Sequence, residues 1–435
     1  MISLITNPIV IAVIILCILC LCRVNVLLAL LISAVIGGLC GHIGISEVMK
    51  IFVSGMGDNA ETALSYILLG AFAASMTHTG LAPILSMKIS NAIKSKKYML
   101  IFILTGIAIL SQNLIPVHIA FIPILIPPLL IIMNELKIDR RSVACALAFG
   151  LKAPYIVIPA GFGLIFQGLI ADNMTQNGVQ ILKSDIWKFS WIIGLGMLVG
   201  FLIAIFISYS KPREYKNIDV KPVENIDLTL HKNHYITLIA AILTLAVQLW
   251  TGSLPLGALI GLAVIFGFKA IDHKKMDKVI NEGVGLMGYV AFVMLIAAGF
   301  ASVMKSTGAI ESLINSIIPY MGHSKILAAA LMLFIGLFIT MGIGTSFGTI
   351  PILAVLYVPI MAKLGFSTAS IVIIIAAAAA LGDAGSPASD TTLGPTSGLN
   401  ADGQHNHIWD TCIPTFLHYN IPIIISALIA VMILK

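Results

Sequence analysis

The sequence predicts an all-α polytopic membrane protein built from two inverted-topology repeats, each with a re-entrant hairpin and a broken helix. Three observations lead to this prediction. The chain of 435 residues is 59% hydrophobic and only 10% charged, whereas a soluble domain has about 25% charged residues. Several words recur at one fixed spacing. Finally, a cluster of Asp, Ser and Thr residues interrupts an apolar run near the C-terminus.

Long apolar runs predict the membrane helices, because about 18–20 apolar residues can cross a bilayer as a helix. The first run lacks a basic flank and a small-residue cleavage site, so we expect a retained helix rather than a signal peptide. The formal net charge of +6 is interpreted as a signal of membrane orientation and not of nucleic-acid binding. The runs are 3–22, 25–41, 62–76, 98–110, 114–133, 188–208, 235–250, 254–268, 287–304, 324–341 and 411–434.

The second half of the chain repeats the first. The word GFASVMKSTG at 299–308 echoes AFAASMTHTG at 71–80, so Phe300 and Phe72 are 228 residues apart (300 − 72 = 228). IPIL at 122–125 recurs at 350–353 with the same offset (350 − 122 = 228). Separate words that share one offset indicate a true repeat. Beyond these words we expect the alignment to slip by a few residues.

The lysines indicate that the two halves have opposite orientations. Loop 88–97 carries four lysines, while its partner 316–325 has one. Loop 43–58 has one lysine, while its partner 271–286 has three. Positively charged loops stay in the cytoplasm, so equivalent loops lie on opposite sides of the membrane. Inverted repeats of this kind are typical of secondary transporters.

The predicted domains are a first inverted repeat at 1–210, a cytoplasmic linker at 211–234 and a second inverted repeat at 235–435. The linker carries five Lys or Arg residues, which places it in the cytoplasm. Basic residues flank 98–133 on both sides, so we expect this segment to enter the membrane and turn back. Its partner, about 326–361, should do the same from outside. Such a turn is tolerated only inside protein or beside a water-filled cavity.

The word GDAGSPASDTT at 382–392 follows the apolar run that begins near Ser370. At about 1.5 Å per residue, Asp383 would lie about 20 Å along this path, beyond the middle of a roughly 30 Å core. A carboxylate at that depth needs a partner, water or a cation, and the glycines and Pro387 predict a broken helix that frees carbonyl oxygens. The alternative is an ordinary polar loop at the membrane surface. We expect a cation or proton site formed by Asp383, Ser386, Ser389, Asp390, Thr391 and Thr392, with Asp383 and Asp390 as Na⁺ ligands.

The repeat partner of this region, AFGLKAPYIVIPAGFG at 148–163, also breaks an apolar run. The approximate alignment brings Lys152 near Asp383, where it could serve as a counter-charge when the cation site is empty. Alternatively, Lys152 extends to the cytoplasmic surface. The hairpin tips carry Asn113 and His118 in the first half, and Gly344, Thr345 and Ser346 in the second. We expect them to bind ion or substrate, with packing as the alternative.

The word GDAGSPASDTT resembles the G-D-x-x-S-P-x-S-D-T-T signature of the NhaC-type sodium/proton antiporter family, in a branch also labelled "putative amino-acid transporter". The resemblance extends over most of the chain. It implies the larger ion-transporter superfamily, with a scaffold domain, a transport domain with two re-entrant hairpins, a homodimer and elevator-like movement. His118 and Lys152 lie outside the signature, which leaves the substrate open.

Two functions remain at this point. The first is a sodium/proton antiporter in which Na⁺ and H⁺ are the coupling ions and compete for one carboxylate. The second is a Na⁺- or H⁺-coupled carrier of a small amino acid or organic acid. A channel fits inverted repeats and broken helices less well, and no nucleophile motif indicates an enzyme. We expect no cofactor, no nucleic-acid partner, and a multi-pass protein in the lipid bilayer of the bacterial cytoplasmic membrane.

Overall fold

The structure, a computed structural model, describes residues 6–22, 24–81, 84, 96–113, 118–216, 229–309, 312, 316, 324–343, 345–387 and 389–434. These ranges are helical with short connections and contain no strand, as the sequence predicts. In the first half the helices are α1 Pro8–Leu21, α2 Val26–Cys40, α3 Ile45–Gly55, α4 Ala60–His78, α5 Lys97–Asn113, α6 His118–Glu135, α7 Arg140–Val157, α8 Phe162–Gln176 and α9 Trp187–Ile203.

The second half follows the same order. Its helices are α10 Lys232–Thr251, α11 Leu254–Gly267, α12 Met276–Ser306, α13 Lys325–Ile343, α14 Ser346–Lys363, α15 Thr368–Ala380, α16 Asp390–Leu399 and α17 Ile413–Ile433. Single turns of 3₁₀ or π helix join some of them, at 56–59, 183–185, 204–208, 273–275 and 407–412.

The offset of 228 extends well beyond the words that revealed it. Adding 228 to the first residues of α2, α5, α6, α7 and α8 (26, 97, 118, 140 and 162) gives the first residues of α11, α13, α14, α15 and α16 (254, 325, 346, 368 and 390). The slip expected after the shared words is therefore wrong. One difference matters for the site: α7 ends at 157, equivalent to 385, but α15 already ends at 380.

Several helices have membrane-spanning capacity, as the sequence predicts, but one of them lies within the segment of about 326–361 that was expected to be re-entrant. Among the described residues, four helical segments are long and apolar enough to cross a membrane: Lys183–Ser208, Lys232–Thr251, Ser346–Lys363 and His407–Ile433. A fifth span arises if α7 and α8 act together, since they are bent by 48° at a short break. The broken apolar run at 148–163 lies in this bent pair.

The helices pack as two bundles, each of which takes helices from both halves of the chain. The hairpin bundle contains α5–α9 and α13–α17, with α5 packed on α7, α6 on α16 and α9 on α17. The second bundle contains α1–α4 and α10–α12, with α4 packed along α12. Contacts of α12 with α14 and of α1 with α13 join the two bundles. The halves are therefore interlocked rather than side by side.

Ion pairs hold the beginning of α7 against the segment that precedes α17. Arg140 is buried and donates two hydrogen bonds to the Asp402 carboxylate, of 2.7 and 2.5 Å. Burial alone would raise the pKa of Asp402, but hydrogen bonds and charge from Arg140 outweigh it and lower the pKa. Arg213, at the start of the linker, pairs with Asp410 at 2.8 Å. These contacts fix the end of the hairpin bundle where the linker begins.

Candidate ion site at the broken helices

Two glycines create the backbone break after α15. Gly382 has φ +77° and Gly385 has φ +99°, both in the left-handed region that side chains other than glycine rarely adopt. A Cβ at Gly382 would lie 2.5 Å from the carbonyl oxygen of Leu337, and one at Gly385 would lie 2.6 Å from Cα of Phe416. Glycine is therefore required twice, for conformation and for close approach of neighbouring backbone.

Asn420 of α17 satisfies the backbone groups that the break leaves unpaired. Its Oδ1 accepts a hydrogen bond from the amide of Gly382 at 3.1 Å, and its Nδ2 donates to the carbonyl of Ala384 at 2.9 Å. A buried backbone group without a partner would be strongly unfavourable. The break is thus a stable part of the structure.

The Asp383 carboxylate lies inside this break, where it is buried and contacts four side chains. Lys152 Nζ lies 2.5 Å from Oδ2, and the Ser346 hydroxyl donates to the same oxygen at 2.6 Å. The Tyr155 hydroxyl also donates to Oδ2, at 3.4 Å. The Ser389 hydroxyl donates to Oδ1 at 2.5 Å. The site therefore draws on α7, α14 and both sides of the break after α15.

Lys152 and Asp383 form an ion pair inside the protein. Their side chains are only 1% and 4% exposed. The Lys152 ammonium also donates to the Ser346 hydroxyl at 3.2 Å. Removing two charges from water is unfavourable unless they are paired and hydrogen-bonded. The structure thus places Lys152 against Asp383 rather than at the cytoplasmic surface.

Tyr155 was missed in the sequence analysis although a signal for it exists. It lies one repeat length before Asp383 (383 − 155 = 228), and the two side chains are in contact. Its hydroxyl is also 3.0 Å from the Ser346 hydroxyl. The unbroken offset would have identified it. Equivalent positions of the two halves therefore meet at this site.

The remaining signature residues support the site or line its edge. Thr391 is buried with its hydroxyl 2.8 Å from that of Ser389. The Thr392 hydroxyl donates to the carbonyls of Ser386 and Ser389, at 2.5 and 2.9 Å. Ser386 turns toward the hairpin and donates to the Met341 carbonyl at 3.5 Å.

Asp390, predicted as a second Na⁺ ligand, is the first residue of α16 and is exposed. Thr345 is partly buried and precedes α14 as its N-cap residue. Gly344 lies outside the described residues. Asn113 ends α5 and His118 begins α6, but their side chains are outside the described part of the chain. Their predicted contacts with ion or substrate therefore stay predictions.

The donor set suits a hard monovalent cation. The site offers one carboxylate and several hydroxyl oxygens, and the break supplies carbonyl groups nearby. In the described ranges no group of three or more His, Cys, Asp or Glu residues could hold a metal ion. A weakly bound, exchangeable cation such as Na⁺ fits oxygen ligands of this kind better than a tightly held transition metal.

Five aromatic rings cover one side of the site. Tyr155 packs on Phe347 and Phe166, with ring centroids 5.1 and 5.2 Å apart. Phe162 lies 5.8 Å from Phe347. Tyr66 of the second bundle lies 5.3 Å from Phe162 and 5.8 Å from Phe347. We call this set the aromatic barrier, because it fills the space where the two bundles meet beside Asp383.

A cavity of about 300 Å³ is lined by chain neighbours of the aromatic barrier. Its walls include Ser65, next to Tyr66, and Pro159, in the break between α7 and α8. Glu61, Asp172 and Lys183 also line it. If the predicted topology holds, this cavity opens to the external side.

Comparison with known proteins identifies the class of molecule. The profile of the Na⁺/H⁺ antiporter family matches residues 146–431, which include every residue that contacts Asp383. A second Na⁺-H⁺ antiporter family profile matches residues 7–93. The chain belongs to the Na⁺/H⁺ antiporter family. It is a secondary transporter and not an enzyme, and it is a multi-pass protein of the bacterial plasma membrane.

Full-length relatives support this assignment. The transporter is 48% identical to the "Putative amino acid transporter YuiF" of Bacillus subtilis, over 98% of this chain and 100% of the relative. It is 47% identical to an uncharacterised membrane protein of Vibrio parahaemolyticus, with coverage of 98% and 100%. An uncharacterised membrane protein of Haemophilus influenzae is 45% identical, with coverage of 98% and 99%.

Solved structures share the fold. The YdaH transporter of Alcanivorax borkumensis superposes with a TM-score of 0.62 at 13% identity, covering 90% of this chain and 88% of that one. MtrF of Neisseria gonorrhoeae, described as illuminating a class of antimetabolite efflux pumps, gives 0.57 at 16% identity, covering 89% and 83%. At these identities the likeness concerns the fold alone.

Proposed function

We propose that the transporter exchanges Na⁺ for H⁺ at Asp383, which acts as the coupling carboxylate. The observation that carries this proposal is the buried ion pair between Lys152 Nζ and Asp383 Oδ2. In the absence of Na⁺ the Lys152 ammonium neutralises the carboxylate. The hydroxyls of Ser346 and Ser389 hold both carboxylate oxygens in place, so a cation that replaces the ammonium meets a preformed set of ligands.

The exchange follows from the requirement for charge balance. When Na⁺ binds Asp383, it takes the place of the Lys152 ammonium, which is then a buried charge without a counter-ion. Because such a charge is strongly unfavourable, Lys152 releases a proton to water. When Na⁺ leaves, Lys152 takes up a proton again and returns to Asp383. One Na⁺ and one H⁺ are therefore exchanged at this site in each binding step.

Alternating access would come from movement of the hairpin bundle against the second bundle. Two features support this elevator-like movement. The residues that contact Asp383 all belong to the hairpin bundle, so the site can move as a unit. The bundles meet at the aromatic barrier, where Tyr66 contributes the ring from the other side. We propose that 1–210 and 235–435 are the inverted repeats that make both orientations accessible.

Flux measurements in proteoliposomes test the coupling role. Asp383→Asn keeps the size of the side chain and removes its charge, and it should abolish proton movement driven by a Na⁺ gradient. Asp185→Asn is the matched control, because Asp185 pairs with Lys188 at 2.6 Å on the surface, away from the site. Wild-type flux in Asp383→Asn, with the protein correctly inserted, would overturn the proposal.

Labelling experiments test the access. Ser346 is fully buried, so a cysteine at this position reacts with a water-soluble thiol reagent only when the site opens. We expect Na⁺ to slow the labelling of Ser346→Cys relative to choline at equal ionic strength. If Na⁺ leaves the labelling rate unchanged, Ser346 does not line the ion site.

A homodimer is the assembly we propose, with native mass spectrometry as its test.

The second candidate is coupled transport of a small amino acid. The relative YuiF, at 48% identity, carries this description in its name. The same proteoliposomes separate the two functions. Proton movement driven by Na⁺ with no organic solute present supports the antiporter, whereas movement that requires an added amino acid supports the coupled carrier.

A further inference from the structure

A second polar cavity, of about 540 Å³, lies in the second bundle, and its lining shares no residue with the Asp383 cluster. It is formed where α4 ends, α10 begins and the chain passes from α11 to α12. We call it the basic cavity. Its lining residues are His78, Asn233, Lys269, Ala270, Ile271, Asp272, His273 and Lys275. Neither the family nor the ion site accounts for this concentration of basic side chains.

The basic cavity has more positive than negative charge available for a ligand. In the described part of the chain, Lys269, His273 and Lys275 form no ion pair. The Asp272 side chain accepts a hydrogen bond from the amide of Lys274 at 3.0 Å, so it is engaged in capping the turn that precedes α12. His78 already pairs with Glu282 at 2.7 Å. Two ammonium groups therefore remain to bind an anion.

The backbone around Lys269 is held in an uncommon conformation. Lys269 has φ +56°, in the left-handed region, although it is not glycine. Hydrogen bonds from its own amide to Phe266 and from Ala270 to Ile265, of 3.1 and 2.9 Å, fix this turn. Strain of this kind persists only where the surrounding structure determines it. The cavity is thus a defined part of the turn after α11.

An apolar surface continues from the basic cavity along α10. Tyr235, Ile239 and Ile242 lie at helical spacing on this helix and are 54%, 52% and 66% exposed. Phe268, beside Lys269, is 68% exposed. In a membrane helix such a face contacts acyl chains. A molecule with an anionic head and apolar tails would therefore fit both the cavity and the adjoining face, whereas a soluble anion would use only the cavity.

The cavity also lies on the side where anionic lipid headgroups attract basic residues. The basic linker ends immediately before α10, and the turn before α12 carries Lys274 and Lys275. The prevalence of lysine places this end in the cytoplasm. We propose that the basic cavity binds the phosphate headgroup of an anionic phospholipid from the inner leaflet, through Lys269 and Lys275.

Native mass spectrometry of the full-length transporter in detergent tests this site, with phosphatidylglycerol and phosphatidylcholine as probes. Each basic residue near an anionic lipid surface contributes about 1 kcal/mol. The double variant Lys269→Gln/Lys275→Gln should therefore bind phosphatidylglycerol about 30-fold more weakly, while Lys275→Gln alone should weaken it about fivefold. Binding of phosphatidylcholine should not change.

Lys278→Gln is the matched control. It removes the same charge from α12 one turn further along, and Lys278 does not line the cavity. An equal loss in this variant would show that binding depends on general surface charge. No loss in the double variant would show that Lys269 and Lys275 do not bind the lipid, and either result would overturn the proposal. Competition by millimolar inorganic phosphate as effective as that by phosphatidylglycerol would mean that the site binds free phosphate and not lipid. Flux by the Asp383 site is measured separately, so failure of either proposal is distinguishable.

Discussion

Replacement of Lys152 by glutamine should make the stability of the transporter depend on Na⁺. The ammonium lies 2.5 Å from Asp383 Oδ2, and both side chains are almost fully buried. Removing one member of such a pair leaves the other charge uncompensated and destabilises a protein by about 3–5 kcal/mol. In Lys152→Gln the hydroxyls of Ser346 and Ser389 still hold the carboxylate. A Na⁺ ion can therefore take the place of the missing charge.

The size of the Na⁺ effect follows from binding linkage. At a Na⁺ concentration one hundred times Kd, binding stabilises the folded state by about 2.7 kcal/mol, a large part of the loss. In the wild type Na⁺ must first displace Lys152, so its stabilising effect should be smaller at the same concentration. The free energy of unfolding is measured in detergent micelles, in NaCl and in choline chloride at equal ionic strength.

A double-mutant cycle gives the refuting result. Asp383→Asn should also be destabilising, because it leaves the Lys152 ammonium unpaired. The combined Lys152→Gln/Asp383→Asn variant removes both charges and should recover at least about 2 kcal/mol relative to the sum of the single changes. The opposite outcome is that each single change lowers the free energy of unfolding by less than about 1 kcal/mol, that the two effects add in the double variant, and that stability is the same in Na⁺ and in choline. Na⁺ would then not compete with Lys152 for Asp383.

Three further predictions test the topology, the break and the connecting loop. Ser46 and Lys274 are equivalent positions of the two repeats (274 − 46 = 228), and both are exposed. A cysteine at position 46 should be labelled from outside the cell and one at position 274 from inside. Labelling of both positions from the same side would contradict the inverted repeat. Gly382→Ala should abolish flux and destabilise the folded protein by more than about 1–2 kcal/mol, the cost of placing a residue other than glycine in the left-handed region. Gly178→Ala is the control, because Gly178 has φ +96° but no atom lies within 4 Å of the added Cβ; it should show the cost of the backbone conformation alone. Burial lowers the pKa of His405 from 6.5 to about 4, so as the pH falls the unfolded chain binds the proton before the folded protein does. The free energy of unfolding should therefore fall by up to about 3 kcal/mol between pH 6.5 and pH 4. His405→Gln should flatten the pH profile of thermal unfolding in that window, and an unchanged profile would contradict the lowered pKa of His405.

Much of the fold could be predicted because its signals are local. Membrane helices follow from apolar runs, and the broken helix follows from Gly382, Gly385 and Pro387, whose backbone preferences act at their own positions. The internal repeat is a property of the sequence itself, and the helix boundaries preserve its offset. Asp383 could be selected as a site residue because a carboxylate in an apolar segment requires an explanation wherever its partners lie.

The partners themselves were decided by packing. Asp383 and Ser389 are six residues apart, but Lys152 and Tyr155 are separated from Asp383 by 231 and 228 residues. Arg140 and Asp402 meet across 262 residues. No local preference specifies such contacts. They depend on how the bent pair α7–α8 packs against the break after α15 and on where α14 lies relative to both.

The sequence by itself therefore determined that this protein is a membrane protein with a duplicated architecture and a polar break near residue 383. Only the tertiary structure decided that Lys152 neutralises Asp383 instead of reaching the surface, that Tyr155 joins them, and that Asp390 lies at an exposed helix start. The physical reason is that a buried charge selects its counter-ion from whatever the folded chain brings within a few ångströms. That choice depends on the packing of helices from both halves of the chain, which the order of residues in the sequence does not show.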